Sequence, residues 1–257
     1  MLLAWHAVVL GLVEGVTEFL PISSTGHMIL AANVLGIPNT EFLKSFEIFI
    51  QLGAIIAVLA VYWRKLFLSR RIFLRVAVAF IPTAVIGLLV YKIAKQYLLG
   101  NISVVVWALL LGGVALIVFE RMHKGKDGKI QDIESMSYGQ AALVGVFQSL
   151  AIIPGVSRSA ATIVGGLLLG MSRVAVVEFS FLLAIPTMAA AVGLDLLKSA
   201  HSFTLDESLM LALGFCVAFV SALAAIRFLL RYVQRHSFAS FGVYRVILAL
   251  VFLFFLI

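Results

Sequence analysis

Two glutamates four residues apart, Glu14 and Glu18, stand in an otherwise apolar stretch. At that spacing they share one face of a helix. Two carboxylates in such surroundings repel and are costly to desolvate, so they call for a shared proton, a cation or an arginine. Their oxygens suit Mg2+ or Ca2+. Solvation near a membrane interface is the plainer alternative. Just downstream, Pro21-Ile-Ser-Ser-Thr-Gly26 breaks the stretch, and Ser23, Ser24, Thr25 and Gly26 form a candidate substrate loop. Any of the three hydroxyls can cap the helix that follows. The free N–H groups and positive dipole end of that helix would make an anion site. His27 falls in its first turn, and imidazole transfers protons or attacks at neutral pH.

A second broken stretch carries Gln148, then Pro154-Gly-Val-Ser157-Arg158-Ser159-Ala-Ala-Thr162. Arg158 offers a planar donor fork that suits phosphate. Ser157, Ser159, Thr162, Gln148 and Gln51 complete the candidate substrate-binding set, with plain capping or interhelical bonding as the simpler role for each. Together these groups fit a metal-bridged phosphate or diphosphate, and a pocket inside a bilayer suits a substrate with a lipid tail. Spacing alone leaves hydrolysis and transport both open.

The elements that hold these residues follow from composition. The chain has 257 residues, 63% of them apolar and 12% charged, with a mean hydropathy of +1.15. Ordinary soluble domains are about 45–50% apolar and about 25% charged. A soluble globule and a disordered chain are both excluded, which leaves an all-α polytopic membrane protein. A lone cysteine, Cys216, rules out a disulfide framework. Uncharged runs predict six transmembrane helices around Ile48–Trp63, Val76–Tyr91, Ile102–Phe119, Phe179–Leu194, Ser208–Ile226 and Val246–Ile257. The last extends backward around Arg245. Phe19–Thr40 and Ser135–Ser157 are uncharged but broken, and are predicted as two re-entrant helix-loop-helix hairpins, tolerable at membrane depth only where protein buries the break. Met1–Val13 is apolar but lacks the pattern of a secretory signal.

The cations test that layout. Of 19 Lys and Arg residues, 14 fall on one side, 4 on the other, and Arg158 lies within a hairpin. The larger group includes Arg64, Arg70, Lys124, Lys126, Arg173, Arg231 and Arg245. Such asymmetry marks the cytoplasmic face, which predicts that both termini face outward. The positive charge thus reads as a topology signal and a contact with anionic membrane lipids, not as a nucleic-acid footprint. The single membrane domain divides into pseudo-repeat halves, about 1–120 and 135–257. Gly11, Glu14 and Glu18 match Gly145, Gln148 and Ile152 at an offset of 134, and Pro21 and Ser24 match Pro154 and Ser157 at 133. Three spans lie between the copies, so the second copy is inverted. Inverted repeats with broken helices place a binding site where they meet.

At these residues the sequence resembles the undecaprenyl-diphosphate phosphatase family, the integral membrane enzymes of bacitracin resistance. The matching stretches are Glu14-Gly-Val-Thr-Glu18-Phe-Leu-Pro-Ile-Ser-Ser-Thr-Gly-His27, Phe46-Glu-Ile-Phe-Ile-Gln51-Leu-Gly, Pro154-Gly-Val-Ser-Arg158-Ser-Ala-Ala-Thr162 and Glu178-Phe-Ser-Phe-Leu-Leu-Ala-Ile-Pro186. Ala160 departs from the family's usual Gly. The resemblance implies hydrolysis of a polyprenyl diphosphate lipid to its monophosphate, a divalent cation, and recycling of the carrier for cell-wall synthesis. It implies Glu14 and Glu18 at the metal–diphosphate site, Ser24 or His27 in the nucleophilic or acid–base step, and Arg158 as phosphate clamp. Attack by Ser24, by His27 or by water stays open, as does a homodimer. The alternative reading is a transporter or flippase of a phosphorylated lipid.

Overall fold

The computed structural model describes residues 2–98, 101–123, 128–198 and 203–256. Lys124 and Lys126 of the expected basic loop, and His201, lie outside them. Ten α-helices make up most of the described chain: α1 (Ala4–Thr17), α2 (Ser24–Val34), α3 (Glu41–Leu68), α4 (Arg70–Ile93), α5 (Ile102–Met122), α6 (Tyr138–Ser149), α7 (Arg158–Leu168), α8 (Arg173–Lys198), α9 (Leu205–Val233) and α10 (Ala239–Leu256). Polar residues start them where the apolar runs begin. Thr40, Ser69 and Asn101 accept from the third backbone N–H of α3, α4 and α5. Ser137 and Thr204 form capping boxes with Gln140 and Glu207, satisfying two orphan donors reciprocally.

Five helices, α3, α4, α5, α8 and α9, are long and apolar enough to cross a membrane. These are five of the six expected spans. The sixth, α10, is apolar but has only 18 residues. The protein is an all-α, multi-pass membrane protein.

The broken elements sit earlier and later than the uncharged runs suggest. The first is α1–α2, spanning Ala4–Val34, and the second is α6–α7, spanning Tyr138–Leu168. The uncharged runs stop at Glu18 and at Arg158, whereas the fold buries Glu18 and part-buries Arg158 within the broken elements. At about 1.5 Å per residue, α1, α2, α6 and α7 are each too short to cross a bilayer.

The halves share one order: two short helices, two long ones, then one more. Their packing is exchanged. α1 lies along α9, and α6 lies along α4. Small residues permit the first of these contacts: a methyl group at Gly11 or Gly15 would collide with α9 backbone at Gly214 and Ala218. Gly145 does the same for α6 against Ala79 and Pro82 of α4. α3 packs on α8 and α5 on α10. The main core lies between these pairs, with Phe19, Phe179 and Phe181 fully buried.

One buried carboxylate fixes the start of α10. Glu120 of α5 accepts from Arg173 at 2.5 and 2.7 Å and from the Phe238 backbone N–H at 2.9 Å. The consequence is felt seven residues on, at Arg245. Placed by sequence on the cytoplasmic flank, Arg245 is instead fully buried among the helix breaks. α10 buries one face, with Phe241, Gly242, Arg245 and Ala249, and exposes Val243, Tyr244 and Ile247 on the other, and the cation stands on the buried face.

Candidate active site

Each broken helix turns on a serine in an unusual conformation. Ser23 has φ 73° and Ser157 has φ 67°, the two non-glycine residues with positive φ among those described. The left-handed region is uncommon for L-residues and marks turn, strain or function. Both serines cap the helix that follows: Ser23 Oγ accepts from Gly26 N at 3.4 Å, and Ser157 Oγ from Ala160 N at 3.2 Å. Ser23 is therefore the counterpart of Ser157, at an offset of 134. The expected pairing of Ser24 with Ser157 is one residue off, because the prolines are aligned at 133 but the caps are not. Ser24 corresponds to Arg158.

The two breaks meet. Ser159 Oγ donates to the Phe19 carbonyl at 2.7 Å. Arg158 Nη2 donates to Glu18 Oε1 at 3.1 Å, Nη1 donates to the Ser180 carbonyl at 2.9 Å, and the guanidinium lies 5.8 Å from the Phe19 ring centroid. The other Glu18 oxygen, Oε2, accepts from Ser24 Oγ. Glu18 thus joins a hydroxyl of the first hairpin to the cation of the second. Around them is a cavity of about 130 Å³ lined by Glu18, Ser23, Ser24, Thr25, Gln51, Ser157 and Arg158, with Met188 on its apolar side.

Six other candidates lie outside that wall. Gly26 gives its N–H to the Ser23 cap and packs near Leu109. His27 is engaged at both ring nitrogens, Nδ1 with the Ser23 carbonyl at 2.7 Å and Nε2 with the Tyr244 hydroxyl at 2.8 Å. Ser159 is spent on Phe19. Thr162 donates to the Arg158 carbonyl at 2.8 Å and to Gln148 Oε1 at 3.4 Å, and Gln148 Nε2 donates to Thr83 at 3.1 Å. Glu14 is wholly buried, and neither of its oxygens has a hydrogen-bond partner. An unpartnered buried carboxylate is expensive, and it stands one helical turn behind Glu18. Among the described residues no three His, Cys, Asp or Glu side chains gather to hold a metal.

Ser180 and Arg245 are site residues that the sequence reading missed. Ser180 is fully buried, receives Arg158 on its carbonyl, and has an unpartnered hydroxyl, as Arg158 has an unpartnered Nε. Ser180 carried no signal beyond standing in a motif. Arg245 did carry one, since it interrupts an apolar run, and ionisable residues inside membranes face protein interiors or cavities.

A family model described as "Bacitracin resistance protein BacA" matches residues 7–251. The chain belongs to the BacA family. Curated BacA relatives named "Undecaprenyl-diphosphatase" agree along the whole chain. The protein of Wolinella succinogenes is 51% identical over 252 residues, 98% of both chains. That of Aquifex aeolicus is 50% identical over 248 residues, 96% of both. That of Thermus thermophilus is 51% identical over 255 residues, 98% of this chain and 97% of the relative.

Proposed function

We propose that this BacA protein is an undecaprenyl-diphosphate phosphatase: it releases inorganic phosphate from undecaprenyl diphosphate, recycles the lipid carrier for cell-wall synthesis and confers bacitracin resistance. The observation that carries the mechanism is Glu18 held between Ser24 Oγ and the Arg158 guanidinium. Ser24 attacks the terminal phosphorus and gives its proton to Glu18. The bond from that phosphorus to the bridging oxygen breaks, and the lipid monophosphate leaves with the proton that Glu18 took, which restores the Glu18 carboxylate. Water then cleaves the phosphoserine, aided by Glu18 as base, and the Ser24 proton is restored. Arg158 and the backbone N–H groups after Ser23 and Ser157 face the charge that grows on the phosphoryl oxygens, and such fixed electrostatics supply much of the rate. His27 fits attack poorly, because both of its ring nitrogens are already bonded.

Glu14, whose two oxygens have no hydrogen-bond partner, and Glu18 would hold a divalent cation such as Mg2+ or Ca2+. When bound it would neutralise diphosphate charge. The exchanged packing of the halves supports an inverted repeat, with the hairpins entering an inner membrane from opposite faces and both termini outside.

The test is phosphate release from undecaprenyl diphosphate by purified protein in detergent, with and without chelator. Release that stops on chelation and returns with Mg2+ or Ca2+ is expected. A protein that moves lipid phosphate across liposomes but releases no phosphate under any divalent cation would refute the reading.

A further inference from the structure

We infer that Tyr244 and Arg245, adjacent on α10, are a positioning pair for the two phosphate-binding turns. Arg245 holds both helix breaks by their carbonyls, and Tyr244 holds the Ser23 turn through His27. The inference rests on the phosphatase reading.

A guanidinium has five N–H donors, and Arg245 uses all of them on backbone carbonyls. Nε reaches Leu109 at 3.4 Å, Nη1 reaches Pro21 at 3.4 Å and Val156 at 3.3 Å, and Nη2 reaches Ala108 and Gly155 at 3.0 Å. Three of these carbonyls belong to the breaks, where the helical donor has been lost and water is scarce. One side chain thus satisfies the first hairpin, the second hairpin and the α5 wall together. The slot is built for it: a methyl group at Gly112 of α5 would strike the guanidinium.

Charge points the same way. Arg245 is fully buried, and none of the ion pairs among the described residues includes it. A buried cation without a carboxylate is costly. An anionic phosphate seated between the two turns it holds would supply the missing counter-charge.

Tyr244 acts at the other end of the same turn. A carbonyl only accepts, so the His27 Nδ1 facing Ser23 O carries a proton. In the neutral ring Nε2 then accepts from the Tyr244 hydroxyl. The two rings stack with centroids 5.5 Å apart and planes 5° from parallel. Ser23, in its left-handed conformation, is held at its carbonyl by His27 and at its hydroxyl by Gly26. The next residue is Ser24, whose hydroxyl sits on Glu18. A turn that slips at Ser23 carries Ser24 away from its base, and a misplacement of about 1 Å can cost about 100-fold in rate.

The test uses full-length protein in detergent with undecaprenyl diphosphate and Mg2+. It measures kcat, KM and the 15N resonances of His27, which are identified by their loss in His27→Gln. Tyr244→Phe keeps the stacked ring and removes only the hydroxyl. We expect kcat to fall about 10-fold, with KM within about 2-fold and the His27 Nε2 resonance moved. Arg245→Lys keeps the charge but not the five-way fork. We expect a fall of about 100-fold in kcat together with a raised KM. If that variant does not fold, Gly112→Ala displaces the guanidinium without removing it and should lower kcat about 10-fold. Wild-type kcat and an unmoved His27 resonance in Tyr244→Phe would overturn the role of Tyr244. Wild-type kcat in Arg245→Lys, or in Gly112→Ala where it is the variant that folds, would overturn that of Arg245. An inactive wild type would be a failure of the phosphatase reading, and the His27 resonance in Tyr244→Phe would still decide the Tyr244 contact.

Discussion

The two broken helices are alike in backbone and unlike in chemistry. Both turn on a left-handed serine that caps a following helix of eleven residues. Residue by residue, the side chains diverge. Glu14 corresponds to Gln148, Glu18 to Ile152, and Ser24 to Arg158. The first hairpin holds the acidic groups and the hydroxyl, and the second holds the cation. Their satisfaction differs too. Gln148 is bonded to Thr83 and Thr162, whereas Glu14 has no partner at either oxygen. At this pair of positions the second hairpin is satisfied and the first is not, although Arg158 Nε of the second is also without a partner. A repeated scaffold thus supplies two alike serine-capped turns, and on the proposed reading substitution in one copy supplies the base and the nucleophile.

The largest effect should come from Glu18, which joins the Ser24 hydroxyl of one turn to the Arg158 guanidinium of the other. Glu18→Gln keeps the shape of the side chain and removes both the base for Ser24 and the charge facing Arg158. Phosphate release should fall about 100-fold or more, in the range typical of a lost acid–base or charge-stabilising group. Ser24→Ala should fall at least as far. Turnover near normal in Glu18→Gln at saturating Mg2+ would show that the first hairpin does not carry the chemistry.

How much of this contrast could be read in the sequence depends on the kind of signal. Composition gave the membrane class, and Pro, Gly and hydroxyl residues marked both breaks. Glu18, Ser24 and Arg158 were legible because charged or nucleophilic groups in apolar runs need a reason to be there. The cap register was not. Pro21 and Pro154 align one residue differently from Ser23 and Ser157, and only the positive φ shows which serine is equivalent. Arg245 was misread as a flank because one arginine in an apolar run looks the same whether it snorkels to a surface or is enclosed. What encloses it comes from residues up to 224 positions away, and no local pattern reports that.

A smaller effect should separate the two limbs at Glu14. It lies behind Glu18, not in the cavity wall, and on the proposed reading it serves a cation rather than the reacting atoms. Glu14→Gln should raise the Mg2+ concentration for half-maximal activity about 10-fold, within the range for losing support at a metal site. Turnover at saturating Mg2+ should stay within about 5-fold of wild type, below the typical loss for a catalytic group. A Mg2+ titration of phosphate release checks it. An unchanged midpoint with reduced turnover would place Glu14 in the chemical step instead.

The smallest effect should come from the counterpart of Glu14. Gln148→Leu keeps the volume and removes two hydrogen bonds, one of them long at 3.4 Å. The hydroxyls it releases are not stranded. Thr83 still donates to the Gly145 carbonyl at 2.8 Å, and Thr162 to the Arg158 carbonyl at 2.8 Å. The cost is therefore that of ordinary hydrogen bonds, about 1 kcal/mol of stability, rather than that of buried unsatisfied groups. Because Thr162 keeps its hold on the Arg158 backbone, the clamp stays in place and kcat should remain within about 3-fold of wild type, below the range for loss of a catalytic group. Thermal unfolding in detergent beside the phosphate assay reads both quantities. A loss of turnover as large as that of Glu18→Gln, with stability unchanged, would mean that Gln148 serves the substrate directly and that the two hairpins differ less in their chemistry than their hydrogen bonds indicate.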